Sequence, residues 1–335
     1  MKPATAISPK SDTAMLGPYH VLEPIGAGLG GMSQLFLCHD PSLDRKVVVK
    51  LVPPGTGDEL LNRFHREASL LSGVAHPGYA HVYRYWMVEG RPAMAMEFID
   101  GLTLREILDL RRTVPLDVGL CIAWTVAEAL RHAHLHGIIH RDVKPANIVV
   151  SHSGQVKLLD FGVARFENQS DLTLPGMVVG TTSYMSPEQA KGEELDERSD
   201  LYSLALCTYE AVGGRHPFRR DQPEATLTAL LTGKAPSLWR IRPGTPWRVS
   251  SFLKATMSKD RRRRPRDGTL FLERLDRCLG RSGNDREAYL AAYMAAVRAG
   301  RRFDATLPRR AVHPGWYALA AGVAGLVAGI ALAWR

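Results

Sequence analysis

A chain of 335 residues, 45% of them hydrophobic and 23% charged, can bury a sizeable core and is neither wholly disordered nor wholly membrane-embedded. Its formal charge of +9 invites a nucleic-acid partner, but no helix-turn-helix, zinc-finger or stacking-aromatic pattern accompanies the charge, so no nucleic acid is expected. Cys38, Cys121, Cys207 and Cys278 stand apart, with no spacing for a zinc site or a disulfide frame.

Residues 1–17 are polar and lack the apolar core of a secretory signal, which predicts a disordered leader. Two strands are predicted at 19–25 and 34–38. Between them, after Ile25, runs Gly26-Ala27-Gly28-Leu29-Gly30-Gly31-Met32-Ser33. Glycines let a backbone close over phosphates and offer N–H groups without side-chain obstruction. The β-branched run Val47-Val48-Val49 is a good strand, and it ends at Lys50, whose ammonium can meet phosphate oxygens. A helix starting near Asp58 places Leu60, Leu61, Phe64, Ala68 and Leu71 at core-facing spacing and carries Glu67. Residues 93–98 read as a strand, Asp100-Gly101 as a turn, and 103–110 and 116–136 as helices. His132, His134 and His136 alternate at the end of the second helix. On a helix, i and i+2 face opposite sides, so these three do not converge on one metal ion.

Next comes His140-Arg141-Asp142-Val143-Lys144-Pro145-Ala146-Asn147, then a predicted strand, turn and strand, then Asp160-Phe161-Gly162. This sets Asp142 and Asn147 on one loop and Asp160 at the head of the next. Asp142 is the candidate base. Asn147 and Asp160 are hard oxygen ligands of the kind Mg²⁺ takes, with water and phosphate completing its shell.

These motifs, in this order, resemble those of the Hanks-type protein kinases, most closely the bacterial serine/threonine kinases, over roughly residues 19–280. The resemblance implies an α+β fold: a bilobal protein-kinase fold with a small β-rich N-lobe (about 18–98) and a large helical C-lobe (about 99–280). It implies ATP and Mg²⁺ as cofactors and protein substrates phosphorylated on Ser or Thr. Ile25, Gly26, Gly28, Gly30 and Gly31 would cover the nucleotide. The glycine hairpin departs from the family by reading two residues longer than usual. Glu67 would pair with Lys50. Met96 would guard the back of the pocket, and Glu97 to Ile99 would bind adenine through backbone groups. Lys144 would reach the transferring phosphate. His140 would be a packed residue that fixes the loop. Thr181, in the Gly180-Thr181 platform, would contact Asp142 and Lys144. Arg141 would await a phosphate on the activation segment, with Thr173 the first candidate acceptor and Thr182 close behind. Asp200 would hold the backbone of the catalytic loop, and Glu188 would pair with Arg264 as a stability element. The rival expectations are a membrane-anchored pseudokinase scaffold and a small-molecule phosphotransferase of kinase fold.

The tail has its own pattern. Between residues 281 and 310 there are seven arginines against Asp285, Glu287 and Asp304. Within this basic juxtamembrane segment (281–315), residues 284–297 form an amphipathic pattern with Leu290, Tyr293, Met294 and Val297 on one side. Residues 316–334 carry no charge and have a tryptophan near each end, long enough at ~1.5 Å per residue to cross a bilayer of roughly 30 Å. The preceding arginines predict a single-pass anchor in the cell membrane with the kinase domain cytoplasmic. Ala321, Gly325, Gly329 and Ala333 recur every four residues, a spacing that lets two such helices touch and form a homodimer, to which the kinase domain itself can also contribute.

Overall fold

The computed structural model describes residues 14–25, 33–53, 55, 76–159, 182–279 and 285–305. The first lobe is a six-stranded antiparallel sheet in the order β1-β2-β3-β4-β6-β5. Its strands are β1 (Met15–Leu16), β2 (Tyr19–Pro24), β3 (Gln34–Asp40), β4 (Arg45–Leu51), β5 (Val82–Val88) and β6 (Arg91–Glu97). Alternation along β4 buries Val47, Val49 and Leu51 on one face, where they meet Phe36, Cys38, Ala93 and Ala95 in a core of their own.

The predicted disordered leader ends earlier than expected. Met15 and Leu16 pair with His20 and Tyr19, and Leu16 is buried in the N-lobe core. Gly17, at φ +59°, makes the tight turn between the two strands, and a side chain there would strike the Trp86 indole. The ordered lobe therefore takes in residues 14–17. Strand β5 was not foreseen; it forms the sheet edge beside β6.

The second lobe begins with β7 (Gly101–Thr103), which pairs with β8 (Ile148–Ser151), itself paired with β9 (Val156–Leu158). Helix α1 (Leu104–Arg111) starts on a complete capping box, with the Thr103 hydroxyl accepting from Glu106 N–H and the Glu106 carboxylate accepting from Thr103 N–H. Helix α2 (Leu116–Leu135) is buried along most of its length, as is α4 (Glu197–Gly213), preceded by the short α3 (Pro187–Lys191). Then follow α5 (Pro223–Thr232), α6 (Leu238–Ile241), α7 (Trp247–Thr256), α8 (Gly268–Leu279) and α9 (Arg286–Arg298). A helix buried nearly all round, such as α4, belongs at the centre of a large domain.

The lobes are stitched together at the turn before β5. Leu158 N–H donates to Gly78 O at 2.7 Å, and the Tyr79 hydroxyl donates to Ala129 O of α2 at 2.7 Å. Lys157 of β9 reaches Glu97 at 2.8 Å.

Helix α9 corrects the predicted domain boundary. Tyr289, Leu290, Tyr293, Met294 and Val297 join the core cluster that α2 and α4 build. Arg111, in the last turn of α1, donates to the carbonyls of Ala296, Val297 and Arg301 at 2.8, 3.2 and 3.0 Å. These are carbonyls at or beyond the end of α9, where intrahelical partners run out. Gly154, in the β8–β9 turn, lies so close to the α9 backbone at Glu287 that no Cβ fits. Residues 285–305 thus belong to the C-lobe; a juxtamembrane segment can begin only after them. Among the described residues no helix is long and apolar enough to cross a membrane. The predicted span 316–334 lies outside the described residues.

The expected pair between Glu188 and Arg264 is present and fully enclosed. Two parallel bonds join them, Nη1 to Oε1 at 2.6 Å and Nη2 to Oε2 at 2.8 Å, and Ser199 adds a third at 2.6 Å. Burial alone would raise the Glu188 pKa; Arg264's hydrogen bonds and charge, with Ser199, bring it down from 4.5 to about 2. A carboxylate depressed in the folded state stabilises fully above its unfolded pKa and loses that contribution as pH falls through the folded one. The loss from this group therefore runs from about pH 4.5 down towards 2, on the order of 3 kcal/mol in all. Glu188→Ala is expected to destabilise the fold by about 3–5 kcal/mol at neutral pH and to flatten the acid limb, read by urea unfolding between pH 7 and pH 3.

Candidate active site

The loop between α2 and β8 is built around one buried carboxylate. Asp200, in the first turn of α4, accepts from His140 N–H (2.8 Å) and from Arg141 N–H (2.8 Å), and its Oδ2 also holds His134 Nε2 at 2.8 Å. Burial alone would raise its pKa, but the hydrogen bond and charge of His134, with His140, hold it below the usual carboxylate range. Arg141 carries φ +67°, a conformation that costs a non-glycine residue about 1–3 kcal/mol. Its N–H on Asp200 and its carbonyl, which accepts from Gln189 Nε2 at 2.8 Å, pin it there. The turn at Arg141 aims the next residue, Asp142.

His140 is completely buried, as the sequence implied, and its two ring nitrogens have separate tasks. Nδ1 accepts from Asp142 N–H at 3.3 Å, so Nε2 carries the proton and donates to Leu159 O at 3.0 Å. Leu159 N–H in turn donates to Asn147 O at 2.7 Å. Leu159 directly precedes Asp160, so the loop that holds Asn147 is hydrogen-bonded on both sides to the residue that leads into the second predicted ligand.

The side chains converge. Lys144 Nζ lies 2.7 Å from Asp142 Oδ2, and Asn147 Nδ2 donates to the same oxygen at 2.9 Å and to Asp142 O at 2.8 Å. Both contacts on Oδ2 fix the rotation of the carboxylate. They also orient the Asn147 amide with its nitrogen towards Asp142, leaving the carbonyl oxygen as its other functional end. A neutral amide oxygen beside a carboxylate is a donor set suited to a hard divalent cation, and Asn147 with Asp160 would supply it.

Lys50 lies on β4, opposite Leu35 of β3 and Met94 of β6, with little exposure. Met96 and Glu97 end β6, where the chain crosses between lobes. Glu97 N–H donates to His81 O at 2.8 Å, and its carboxylate takes Lys157 and His81 N–H, so neither its N–H nor its side chain is spare for a base. Ile25 continues the first hairpin, donating its N–H to Leu35 O at 2.8 Å. Gly26, Gly28, Gly30, Gly31, Glu67, Asp160, Thr173 and Thr181 lie outside the described residues. Thr182 opens a single 3₁₀ turn, and Ser183 beside it is buried.

One positioning residue escaped the sequence reading. His134 was weighed only as a metal ligand, yet its ring braces Asp200 from 66 positions away. Among the described residues no group of three histidine, cysteine or acidic side chains could hold a metal. His132 and His136 instead stack with each other, ring centroids 4.7 Å apart, and His132 lies 4.9 Å from His76.

A small antiparallel lobe with a lysine on its central strand, and a helical lobe presenting Asp142, Lys144 and Asn147 on a braced loop, define the two-lobed protein-kinase fold. The chain belongs to the protein kinase domain family, whose model matches residues 19–271, and within it to the bacterial Hanks-type serine/threonine kinases. It is 32% identical over 246 residues to the serine/threonine-protein kinase PrkC of Bacillus subtilis, a match covering 73% of this chain and 38% of that protein. It is 34% identical over 332 residues to the serine/threonine-protein kinase PknA of Mycobacterium tuberculosis, covering 97% and 71%. Among solved structures, the kinase domain of Mycobacterium tuberculosis PknI superposes with a TM-score of 0.62 at 26% identity, covering 80% of this chain and 98% of that one. Other relatives are longer: the chain spans about a third of the length of PrkC and of kinases from Clostridium perfringens and Streptomyces coelicolor.

Proposed function

We propose that this chain transfers the γ-phosphate of ATP to serine and threonine hydroxyls of proteins. The observation that carries the reading is the fixed Asp142 carboxylate, 2.7 Å from Lys144 and 2.9 Å from Asn147 on a loop braced by Asp200. Phosphoryl transfer asks little covalent work of a protein; it needs an in-line nucleophile, balanced phosphate charge and excluded water. Asp142 orients the substrate hydroxyl and takes its proton as the oxygen bonds to phosphorus and the bond to the ADP oxygen breaks. Lys144 offsets charge on the phosphoryl group in transit. Lys50 holds the α- and β-phosphates, with Glu67 as its partner. Asn147 and Asp160 would hold Mg²⁺, which when bound neutralises phosphate charge.

Three finer features belong to the same proposal. Arg141 receives a phosphate on the activation segment, with Thr173 as first acceptor and Thr182 next. Residues 316–334 anchor the chain in the membrane, kinase domain on the cytoplasmic side, where its substrates are. Ala321, Gly325, Gly329 and Ala333 pair two copies. Mass spectrometry after incubation with Mg-ATP should find phosphate between residues 163 and 182 in the parent and none in Asp142→Asn; a fully active enzyme without it removes the autophosphorylation reading. Membrane fractions should retain the full chain through a carbonate wash and release one that stops at residue 305. The scaffold alternative predicts neither phosphate nor turnover.

A further inference from the structure

Two tryptophans of the helical lobe face solvent across one groove. Trp239 in α6 is 52% exposed and Trp247 at the start of α7 is 71% exposed. With Arg240, Pro243, Gly244 and Thr245 they line an open groove of about 520 Å³ that holds no acid. Large apolar side chains left together in water mark an interaction surface. The frame beneath them is fixed. Helix α6 rests on the last turn of α4, where a side chain at Gly213 would meet Leu238 and Ile241. Arg242 donates to Val114 O at 2.7 Å and to Val212 O at 3.1 Å, and the Ser237 and Ser250 hydroxyls close the base of the loop at 2.7 Å.

Charge narrows the partner. Between Glu224 and Asp260 the chain has no acidic residue and six basic ones. Arg242 is used inside the lobe and Lys259 lies over the Phe218 ring at 3.6 Å, but Lys234, Arg240, Arg248 and Lys254 are exposed. The Arg240 guanidinium sits 5.6 Å from the Trp239 ring. The acids of the neighbouring helices are Glu224 on α5 and Glu273 and Asp276 on α8, and Glu273 already lies 3.8 Å from Arg277. An indole joins an apolar body to one polar N–H, and arginine carries a charged head on an apolar stem. That pairing suits the boundary between hydrocarbon and anionic headgroups.

The chain leaves the lobe beside this face. Arg111 holds the carbonyls at the end of α9, and three residues on, Val114 O takes Arg242 from the tryptophan loop. No more than ~10 Å of backbone separates those two points. Arg298 and Arg301 are exposed at the exit, while Arg302 pairs with Asp304 at 2.9 Å. Residues 306–315, which can span at most ~35 Å, then lead to the apolar stretch 316–334. The catalytic loop lies elsewhere. Asp200 braces it from the first turn of α4, and α6 rests on the last turn, ~20 Å along the helix. A lobe seated by the tryptophans keeps its reaction site clear of the surface.

We propose that the Trp239–Trp247 face seats the helical lobe on an anionic lipid surface, indoles at headgroup level and Arg240 and Arg248 among the phosphates. The proposal rests on the membrane reading of residues 316–334 and gives the lobe its orientation there. The full chain is reconstituted with vesicles of phosphatidylcholine alone or of an equal mixture with phosphatidylglycerol. Hydroxyl-radical footprinting, read by mass spectrometry, then follows oxidation at Trp239 and Trp247, with the exposed Met87 of the other lobe as control. Oxidation of both tryptophans should fall about fivefold or more on the anionic vesicles only, return in high salt, and leave Met87 unchanged. Arg240→Glu with Arg248→Glu should abolish the protection; should that variant fail to fold, the lipid and salt dependence of the parent decides. Equal oxidation on both lipids, in a chain that stays with the vesicles through a carbonate wash, overturns the proposal and leaves the anchor standing. Protection that ignores lipid charge and grows with protein density points to a second copy, and protection by a single-stranded oligonucleotide without lipid points to nucleic acid; either overturns it. Protection on anionic vesicles in a chain that the carbonate wash releases upholds the face and counts against the anchor.

Discussion

Replacing Asp142 by asparagine should lower kcat by at least about 10²–10⁴-fold, the range for losing a positioned general base, while leaving Mg-ATP affinity within a few-fold of the parent. The substitution keeps the shape of the side chain, and an amide oxygen can still accept from Lys144 Nζ and Asn147 Nδ2, now 2.7 and 2.9 Å from Oδ2. What it removes is the negative charge that draws the hydroxyl proton. The loop should survive, because Asp200, His140 and Gln189 hold it through backbone groups that the change does not touch. Phosphate transfer from labelled ATP onto a protein substrate, read beside nucleotide titration of both proteins, separates loss of chemistry from loss of binding. A variant that retains most of its turnover would show that Asp142 is not the base.

The second large effect is expected at Asp200, which touches no substrate. Asp200→Ala leaves the N–H groups of His140 and Arg141 and the ring of His134 without their acceptor, all in a buried setting. The cost should be about 3–5 kcal/mol of stability, as for other broken buried networks. The strained Arg141 backbone at φ +67° would relax towards ordinary values and swing Asp142 away from Asn147. Turnover should fall about 10²-fold or more even at temperatures where the variant is folded, since a displacement near 1 Å at a reacting group is that costly. Asp200→Asn, which can still accept one of the two N–H groups, should lie between the parent and alanine on both scales. Thermal melts with kinetics at low temperature would show it; a destabilised variant with unaltered turnover would reduce Asp200 to a packing role.

The catalytic loop was legible because its residues are contiguous: Asp142, Lys144 and Asn147 meet within one turn of chain, and family resemblance assigned them roles. The strands β3 and β4 were legible from β-branched and alternating residues. Long-range partners were harder. His134 and Asp200 lie in two helices whose pairing no local period reveals, and the hydrogen-bonded cluster of Glu210, Arg105, Tyr184 and Arg219 draws on four separate elements. The apolar stripe of α9 was visible, but which surface it covered depended on Arg111 and Gly154, each more than a hundred residues away in sequence. Leu16 looked like part of a polar leader because burial of a two-residue strand leaves no period to read; the Gly17-Pro18 turn before Tyr19 was the available signal. The use of Glu97's N–H and carboxylate within the protein emerges only in three dimensions.

One measurement bears most directly on the account. The purified chain is incubated with Mg²⁺, γ-labelled ATP and a generic protein substrate, and the labelled protein is hydrolysed to its phosphoamino acids. The resemblance of the loop that holds Asp142 and Lys144 to that of serine/threonine kinases predicts phosphoserine and phosphothreonine. Label confined to phosphotyrosine, or no transfer to protein under conditions where ATP is bound, would contradict it.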